Sequence, residues 1–453
     1  MQRILQLMQR YLPSDHIERE PLYSELHARP AANIELPALV LLIAVLNEAV
    51  PRSAELAHLQ RLPGQAQLSL VNLESSFLRL QFDKYSLKWE RHSEFTRYSL
   101  VMPLPAGTQL DADPEALRSS LGLDAQWLSA IPGHTMTAID LWMLSVPWDD
   151  KSALLNAAKR WMQPQPDSPS THSAHSTPVL ASLVGRDSHS MAVCDFQLRG
   201  DGFERMLVMA PASGSHLRAG RVAQRLLEIE TYRLMALRGL PAAKLLAPQL
   251  AQWEDKLAQL TMDIVNQSLP EEPLLGDLVA LAAAVEKAIT THAYRFSATQ
   301  AYHSIVQQRL SEIREKNIDS TQTLGAFLHR RLDPAMATVN ATQRRLTELS
   351  QRISRTSALL RTRVDIATEK QNQQLLEKLT RGQQLQLRLQ TTVEGLSIAA
   401  VSYYAVSLIL YATKALKAAG APINPEVLTG ALIPLAIGAV WFATRRIHRK
   451  IMQ

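Results

Sequence analysis

The sequence predicts an α+β cytosolic head, then an antiparallel coiled coil with a long stalk helix, and finally a C-terminal two-helix transmembrane hairpin. Three observations favour this fold class: alternating apolar residues in the first half of the chain, a heptad repeat in its middle, and two uncharged runs near its C-terminus. The chain of 453 residues is long enough for several domains.

The head is expected to consist of residues 1–162 and 179–241, which flank a flexible loop at 163–178 that is rich in Pro, Ser, Thr and His. The apolar run Ala38–Leu46 is too short to span a membrane, so it predicts a buried strand or helix. Alternation predicts a hairpin around Gly200-Asp201-Gly202 and three further strands, at Phe77–Phe82, Leu87–Phe95 and Tyr98–Met102.

Three polar residues alternate in the second of these predicted strands. A strand would place Glu90, His92 and Glu94 on one face. Two carboxylates and an imidazole could chelate a divalent metal ion or act as acid and base. The alternative is a solvated strand face, with Trp89 and Phe95 turned toward the core.

The segment Gly220–Arg233 has the pattern of a helix that ends near Gly239. Arg221, Arg225 and Glu228 share one face of this helix, because they are four and three residues apart. These side chains could pair with one another along the helix, or the face could bind an anion or contact a substrate.

Residues 242–333 are expected to be helical and to contain a coiled-coil seam. The seam positions follow 4-3 spacing and are Leu278, Ala282, Val285, Ile289, His292, Phe296, Thr299, His303, Val306, Leu310 and Ile313. A polar side chain at a seam position usually fixes the register, and His292, Thr299 and His303 are such residues; a pH or metal sensor is the other interpretation. A stripe on the following stalk could pack against this seam or self-associate, and it consists of Val339, Leu346, Leu349, Ile353, Leu360, Val364, Leu375 and Leu379.

Asp333-Pro334 predicts the N-cap and first turn of a stalk helix over residues 334–394. No further proline occurs before Pro422, so the helix can continue to about Leu416 and would be roughly 120 Å long at 1.5 Å per residue. A helix of this length exceeds any single domain core.

The stalk leads into the first of two uncharged runs, residues 395–413 and 427–444. Each run is long enough to cross a hydrocarbon core of roughly 30 Å. A loop at 414–426 joins the two predicted spans, and a basic tail follows at 445–453.

The formal net charge of +6 is distributed unevenly, since residues 335–453 carry 16 Lys and Arg against 6 Asp and Glu. This basic excess predicts contact with anionic membrane lipids, for which the candidate residues are Arg381, Arg388, Arg445, Arg446, Arg449 and Lys450. The positive-inside rule places both termini on the cytoplasmic side of a bacterial inner membrane and the loop at 414–426 outside. Nucleic acid is not an expected partner, because no groove-reading motif accompanies the charge.

A stripe of polar residues lies near one face of the first predicted span. Its members are Glu394, Ser397, Tyr404, Ser407 and Tyr411. Such a stripe can line a pore, or it can join helices and place Tyr side chains at the membrane interfaces.

The sequence contains no P-loop, dinucleotide fingerprint, HExxH, GxSxG or paired-cysteine metal motif. We therefore expect a protein that is not an enzyme, and the sequence indicates no cofactor. The single cysteine, Cys194, excludes an internal disulfide framework, and the N-terminus is too short and too charged for a signal peptide. The head is accordingly expected in a reducing cytoplasm.

Four segments of the sequence carry long motifs. They are ELHARP at Glu25–Pro30, WERHSEF at Trp89–Phe95, GRVAQRLLEIETYR at Gly220–Arg233, and the run from Leu359 to Tyr404. On these motifs nearly the whole chain resembles an uncharacterised family of bacterial proteins that are predicted to be membrane-anchored. The resemblance implies the anchored topology and no mechanism.

In architecture alone, the predicted head, stalk, two spans and basic tail are similar to the CorA class of divalent-cation channels. That class carries a Gly-Met-Asn signature where its first span ends, whereas this chain has Tyr411-Ala412-Thr413-Lys414 there. The loop between the spans is also net positive, which would repel an arriving cation.

Two functions from different classes follow. The first is a tethered scaffold or sensor, a homo-oligomer whose head binds a ligand or an unknown cytosolic partner. The alternative is an oligomeric ion channel or transporter of CorA-like architecture.

Overall fold

The computed structural model describes residues 16–19, 22–23, 33–111, 113, 116, 124–163, 178–214, 216–420, 422 and 424–451. The chain divides into two compact units, Met1–Asn266 with Gly276–Ser354 and Gln267–Leu275 with Arg355–Gln453. The ELHARP motif and most of the predicted loop at 163–178 lie outside the described residues.

A mixed eight-stranded sheet forms the centre of the first unit, as far as its described residues show, and its strand order is β2-β3-β4-β1-β5-β8-β7-β6. The strands are β1 Ala38–Leu46, β2 Phe77–Gln81, β3 Ser86–Arg91, β4 Phe95–Pro103, β5 His134–Ser145, β6 Leu180–Val184, β7 Ser190–Leu198 and β8 Glu204–Ala210. β5 and β8 pair in parallel and the other neighbours are antiparallel. The mixed sheet confirms the predicted α+β class.

The helices cover both faces of this sheet. Their bounds are α1 Arg52–Leu59, α2 Leu70–Leu73, α3 Ala125–Ser129, α4 Lys151–Met162, α5 His216–Leu237, α6 Gly239–Asn266, α7 Glu271–Ile313, α8 Leu324–Ala418 and α9 Pro425–Ile451. Successive residues of β1 divide between two cores, because side chains alternate across a strand. Val40 and Leu42 join the core that contains α5, whereas Leu39 and Leu41 join the core that contains α1 and α4.

The predicted seam is the buried face of α7. Leu278, Val285, Phe296 and Val306 are all buried, as the 4-3 spacing requires. Within the first unit, the Nε2 atom of Gln300 donates hydrogen bonds to Asn340 Oδ1 at 3.0 Å and to Gln343 Oε1 at 2.7 Å. His303, further along α7, contacts Asp333, which is earlier in α8. Because the contacts move backward along α8 as they move forward along α7, the two helices are antiparallel.

The predicted start of the stalk helix is wrong. α8 begins at Leu324, and Pro334 lies inside it. The N-terminal N–H groups of a helix need outside acceptors, and here Thr323 Oγ1 accepts from Ala326 N at 3.2 Å. Glu315 Oε2 accepts from Gly325 N and Ser182 Oγ accepts from Leu324 N, both at 3.0 Å.

In the second unit, α8 and α9 form a helical hairpin. Both helices contain a segment long and apolar enough to cross a membrane. Only 6% of the segment in α8 and 11% of the segment in α9 is buried within the chain. This exposure differs from that of core helices in soluble proteins, whose apolar residues are mostly covered. Thr413 and Thr429 link the two helices by a hydrogen bond of 3.2 Å between their hydroxyls.

The turn between β3 and β4 is fixed by a buried carboxylate. Glu94 is 1% exposed and binds the guanidinium groups of Arg238 and Arg295, which belong to the end of α5 and to α7. Removing one member of a buried ion pair leaves uncompensated charge. Glu94→Gln is expected to lower the free energy of unfolding by about 3 kcal/mol, as measured by urea titration in detergent.

A matched control exists on the same arginine. Glu48 binds Arg238 at 2.9 Å but is 59% exposed, so Glu48→Gln should cost roughly 0.5 kcal/mol or less. Equal losses in the two variants would contradict the role given to burial.

A second buried carboxyl group makes stability depend on pH. Burial, and then the negative charge of Glu230, raises the pKa of Glu204 well above its usual range. The folded state therefore keeps a proton that the unfolded chain releases above about pH 4, and stability falls as pH rises. Glu204→Gln should flatten this loss, so its advantage in melting temperature over the natural protein should be larger at pH 8 than at pH 5. The exposed Glu286→Gln is the control, and a constant difference between Glu204→Gln and the natural protein at both pH values would refute the assignment.

Candidate functional site

A cavity of about 390 Å³ lies in the first unit at the end of the sheet where β6 ends and β7 begins. We call it the arginine cavity. Its lining comprises Gly185, Arg186, Asp187, His189, Arg218, Arg221, Val222, Arg225, Glu312, Ile313 and Arg314. These residues come from the turn between β6 and β7, from the start of α5 and from the end of α7.

Backbone hydrogen bonds hold two walls of the arginine cavity together. Gly185 N donates to Ile313 O at 2.8 Å, and Lys316 N donates to Leu183 O at the same distance. The turn at Gly185 also needs a glycine, because its φ is +92° and a Cβ there would overlap the ring of His189. The end of α7 is thereby fixed against the end of β6.

The positive charges of the cavity exceed its negative charges. Arg225 Nε binds Glu312 Oε2 at 3.2 Å, and Arg309 binds the same carboxylate at 2.9 Å. Burial alone would raise the pKa of Glu312, but the hydrogen bond from Gln308 and the charges of Arg309 and Arg225 outweigh it and lower the pKa. The remaining cavity arginines, Arg186, Arg218, Arg221 and Arg314, are exposed. Asp187 also lines the cavity, but among the described residues no carboxylate lies within ion-pair distance of these four arginines.

The helix dipole adds to this unbalanced charge. The N-terminus of α5 carries the positive end of the dipole, where acidic residues are usually favourable. The first turn of α5 contains Arg218 and no acidic residue, and Arg221 and Arg225 follow in the second and third turns. Cations at this end of a helix are unfavourable unless an anion compensates them, and oxyanions bind at such termini.

His189 adds a neutral polar group to the cavity. Burial, and then the charge of Arg218, lowers its pKa, so the imidazole is uncharged at neutral pH. Its Nδ1 atom lies 2.7 Å from Ser190 Oγ. His189 can therefore take part in hydrogen bonding without adding charge.

A second cavity, of about 200 Å³, also has His189 and Arg218 in its lining. We call it the adjoining cavity. Its other lining residues are Leu36, Ser145, Ser190, Ala210, Pro211, Ala212, Ser213, Gly214, His216 and Ala219. It lies at the ends of β5 and β8 and at the start of α5, so the two cavities form one region of the head.

A smaller cavity of about 60 Å³ lies between the sheet and α5. Its lining is mostly apolar, and two of its cations, Lys88 and Arg97, are bound to Glu90. Because this cavity is small and mostly apolar, it is a weaker candidate for a charged ligand.

The predicted face of Glu90, His92 and Glu94 does not form. β3 ends at Arg91, and the next residues turn toward β4, with His92 N donating to Phe95 O at 2.8 Å. Burial alone would raise the pKa of Glu90, but the charges of Arg97 and Lys88 outweigh it and lower the pKa to about 2. His92 stacks on Phe95, and Glu94 binds arginines. Among the residues that the structure describes, no three His, Cys, Asp or Glu side chains are grouped to hold a metal ion.

The polar seam residues occupy different surroundings. Thr299 is buried, with its hydroxyl so close to Gly239 that a Cβ there would overlap it. His292 stacks on Phe296. His303 Nε2 lies 3.3 Å from Asp333 Oδ1, which also accepts from Gln307 at 3.1 Å.

The polar stripe of α8 points away from α9 for most of its length. Tyr404 and Tyr411 are 68% and 70% exposed, and Ser407 donates only to the Tyr403 carbonyl of its own helix at 2.9 Å. Glu394 is half-buried and Ser397 is exposed. The contact between the two helices uses Thr413, which the sequence stripe does not include.

The candidate lipid-contacting residues are exposed where their side chains are described. These are Arg381, Arg388, Arg445 and Arg446. Arg445 lies over the ring of Trp441 at 4.9 Å, an arrangement that favours a cation and an aromatic ring together. The side chains of Arg449 and Lys450 lie outside the described part of the chain.

Sequence reasoning identified part of the arginine cavity. The sequence pattern singled out Arg221 and Arg225 and allowed them to pair with Glu228. In the structure, Arg225 binds Glu312 of α7, and Glu228 binds Arg309. Sequence reasoning missed Arg186, Arg218 and Arg314. The spacing of Arg218, Arg221 and Arg225 without a first-turn acid was an available signal, whereas the other two positions depend on the tertiary fold.

Comparison with curated proteins gives no match. A family model covers nearly the whole chain, in agreement with the resemblance to an uncharacterised family. The chain belongs to the family described as "Protein of unknown function (DUF3422)", whose model matches residues 14–451.

Proposed function

We propose that this protein is a membrane-anchored scaffold or sensor whose head binds an anionic ligand in the arginine cavity. The carrying observation is the group of four cavity arginines that lack a carboxylate partner among the described residues, at the positive end of α5. Guanidinium groups bind carboxylates and phosphates through paired hydrogen bonds. The function proposed is binding, and no residue is assigned a catalytic role.

The anchor in this proposal is the hairpin of α8 and α9, in a bacterial inner membrane with both termini cytoplasmic. Its support is the pair of exposed apolar segments in these helices and the basic residues beside them. Arg381 and Arg388 would meet anionic head groups on the cytoplasmic side.

Self-association belongs to the same proposal. Between the head and the first apolar segment, Leu375, Leu376 and Leu379 of α8 are 58%, 62% and 56% exposed. A helical surface of this kind is stabilised when a second copy covers it.

The alternative function, an oligomeric conduit of CorA-like architecture, has one favourable observation. α8 is continuous for 95 residues, from the first unit through the apolar segment, and the stripe from Glu394 to Tyr411 is largely exposed. Two spans of one chain cannot enclose a pore, so this alternative requires an oligomer around the stripe. We place it second, because no residue identifies a permeant ion.

Binding of an anion is tested with inorganic phosphate and the full chain in detergent. The natural protein should gain melting temperature with the logarithm of phosphate concentration. Arg221→Gln should weaken the phosphate affinity about tenfold, as measured by isothermal titration calorimetry, because it removes a charged hydrogen-bonding group. Without phosphate, the same variant should melt slightly higher than the natural protein, since it removes one of several like charges grouped at the cavity.

Arg330→Gln is the matched control, since Arg330 is an exposed arginine of α8 that does not line the cavity. Identical phosphate responses in the two variants would exclude the arginine cavity as the site.

The topology is tested by labelling with a membrane-impermeant maleimide. Cys194 is 1% exposed, and burial raises the pKa of its thiol, so the natural protein should remain unlabelled. Lys417→Cys lies between the two apolar segments and should be labelled on spheroplasts. Lys378→Cys should be labelled only after the membrane is opened.

The two variants control each other, since both place a thiol at an exposed position of α8. Labelling of Lys378→Cys but not of Lys417→Cys on closed spheroplasts would reverse the orientation. Recovery of the chain in the soluble fraction would reject the anchor itself.

A further inference from the structure

We propose that the ligand is a small organic phosphate, with its phosphoryl group in the arginine cavity and its carbon skeleton in the adjoining cavity. This inference rests on the proposed function, because it names the ligand class of the same site.

The charge of the arginine cavity favours a phosphoryl group over a carboxylate. The five arginines of the lining outnumber its two carboxylates, Asp187 and Glu312, by three. A ligand carboxylate would bring a single negative charge. A phosphate monoester carries about 1.5 to 2 negative charges at pH 7 and three acceptor oxygens. Several guanidinium groups can therefore bind it at once through paired hydrogen bonds.

The space available is larger than an inorganic anion requires. Sites for small organic molecules typically measure about 300 to 1,000 Å³. The arginine cavity, of about 390 Å³, is within this range, and the adjoining cavity adds about 200 Å³. His189 and Arg218 line both cavities, so a ligand could extend from one to the other past these two side chains.

The lining of the adjoining cavity is suited to a hydroxylated carbon skeleton. Ser145, Ser190 and Ser213 offer hydroxyl groups, and Ala210, Pro211 and Ala219 offer apolar surface. Among its described lining residues there is one arginine, Arg218, which it shares with the arginine cavity, and there is no lysine or carboxylate. The two cavities thus differ in chemistry in the way that the two parts of an organic phosphate differ.

The position in the fold supports the same ligand. In sheets with parallel strands, ligands bind beyond the carboxyl ends of the strands. β5 and β8 are parallel, and they end at Ser145 and Ala210, which line the adjoining cavity. α5 follows β8 and contributes arginines to the arginine cavity.

The test compares inorganic phosphate with glycerol 3-phosphate, using calorimetry on the full chain in detergent, with glycerol as the uncharged control. The natural protein should bind glycerol 3-phosphate at least about tenfold more tightly than inorganic phosphate, which corresponds to about 1.4 kcal/mol. Ser213→Leu, at an exposed position of the adjoining cavity, should bring this ratio close to one and leave the affinity for inorganic phosphate unchanged. Ala212→Leu, also exposed, is a second variant of the same wall.

Equal affinities for the two ligands in the natural protein would overturn the inference, as would Ser213→Leu and Ala212→Leu variants that weaken both ligands alike. These results differ from a failure of the proposed function, which would appear as phosphate binding that does not respond to Arg221→Gln.

The organic phosphate could be a free solute or a lipid head group, and a second arm of the experiment separates these sources. The full chain is placed in phosphatidylcholine nanodiscs, and vesicles with or without phosphatidic acid are added. Displacement of bound glycerol 3-phosphate only by the phosphatidic acid vesicles assigns a lipid source. Retention of glycerol 3-phosphate with both vesicles assigns a free solute.

Discussion

The carboxylate of Glu315 connects the parts of the head on which the site depends. Its Oε2 atom accepts from Ser182 Oγ of the edge strand β6 and from Gly325 N of α8, and its Oε1 atom accepts from Thr323 Oγ1 at 2.8 Å. The neighbouring Lys316 pairs with Leu183 through the backbone, which also protects the sheet edge from pairing with another chain. The short connection between α7 and α8 therefore has three roles. It covers the edge strand of the sheet, supplies acceptors for the start of the 95-residue helix, and fixes a wall of the arginine cavity.

The parts of the fold that the sequence predicted correctly are those with a strong local period. The 4-3 spacing of α7 identified Phe296 and Val306 as buried, because a helix repeats its surface every three to four residues. The start of α8 was not predictable in the same way. Asp333-Pro334 carries a strong local signal for the first turn of a helix. The helix begins earlier, after Thr323, because Ser182 and Glu315 supply further acceptors for its N-terminal N–H groups. Tertiary contacts here outweigh the cost of a proline inside the helix.

The site was partly predictable for a related reason. Arg221 and Arg225 share a helical face in any helix over Gly220–Arg233, so sequence reasoning could propose an anion-binding face there. Arg186 and Arg314 belong to segments far apart in the chain, and only the backbone bridge between β6 and the end of α7 brings them to that face. The alternation of Glu90, His92 and Glu94 predicted a shared strand face that does not form. The strand ends at Arg91, just before His92, and arginines from other elements bind both carboxylates.

The arginines around α5 are of two kinds: some bind buried carboxylates, and those of the arginine cavity mostly do not. Glu90, Glu94, Glu228 and Glu230 each lie against a guanidinium, so these four buried carboxylates have cationic partners within the chain. The four arginines of the arginine cavity that lack such a partner are exposed and lie around one cavity, and Arg218 is in the first turn of α5, where a cation is unfavourable. Stability would improve if one of these arginines were neutral, and proteins commonly retain such unfavourable groups at binding sites. The grouping of these exposed cations around one cavity therefore argues for an anion that completes the site, since the buried carboxylates named above already have cationic partners.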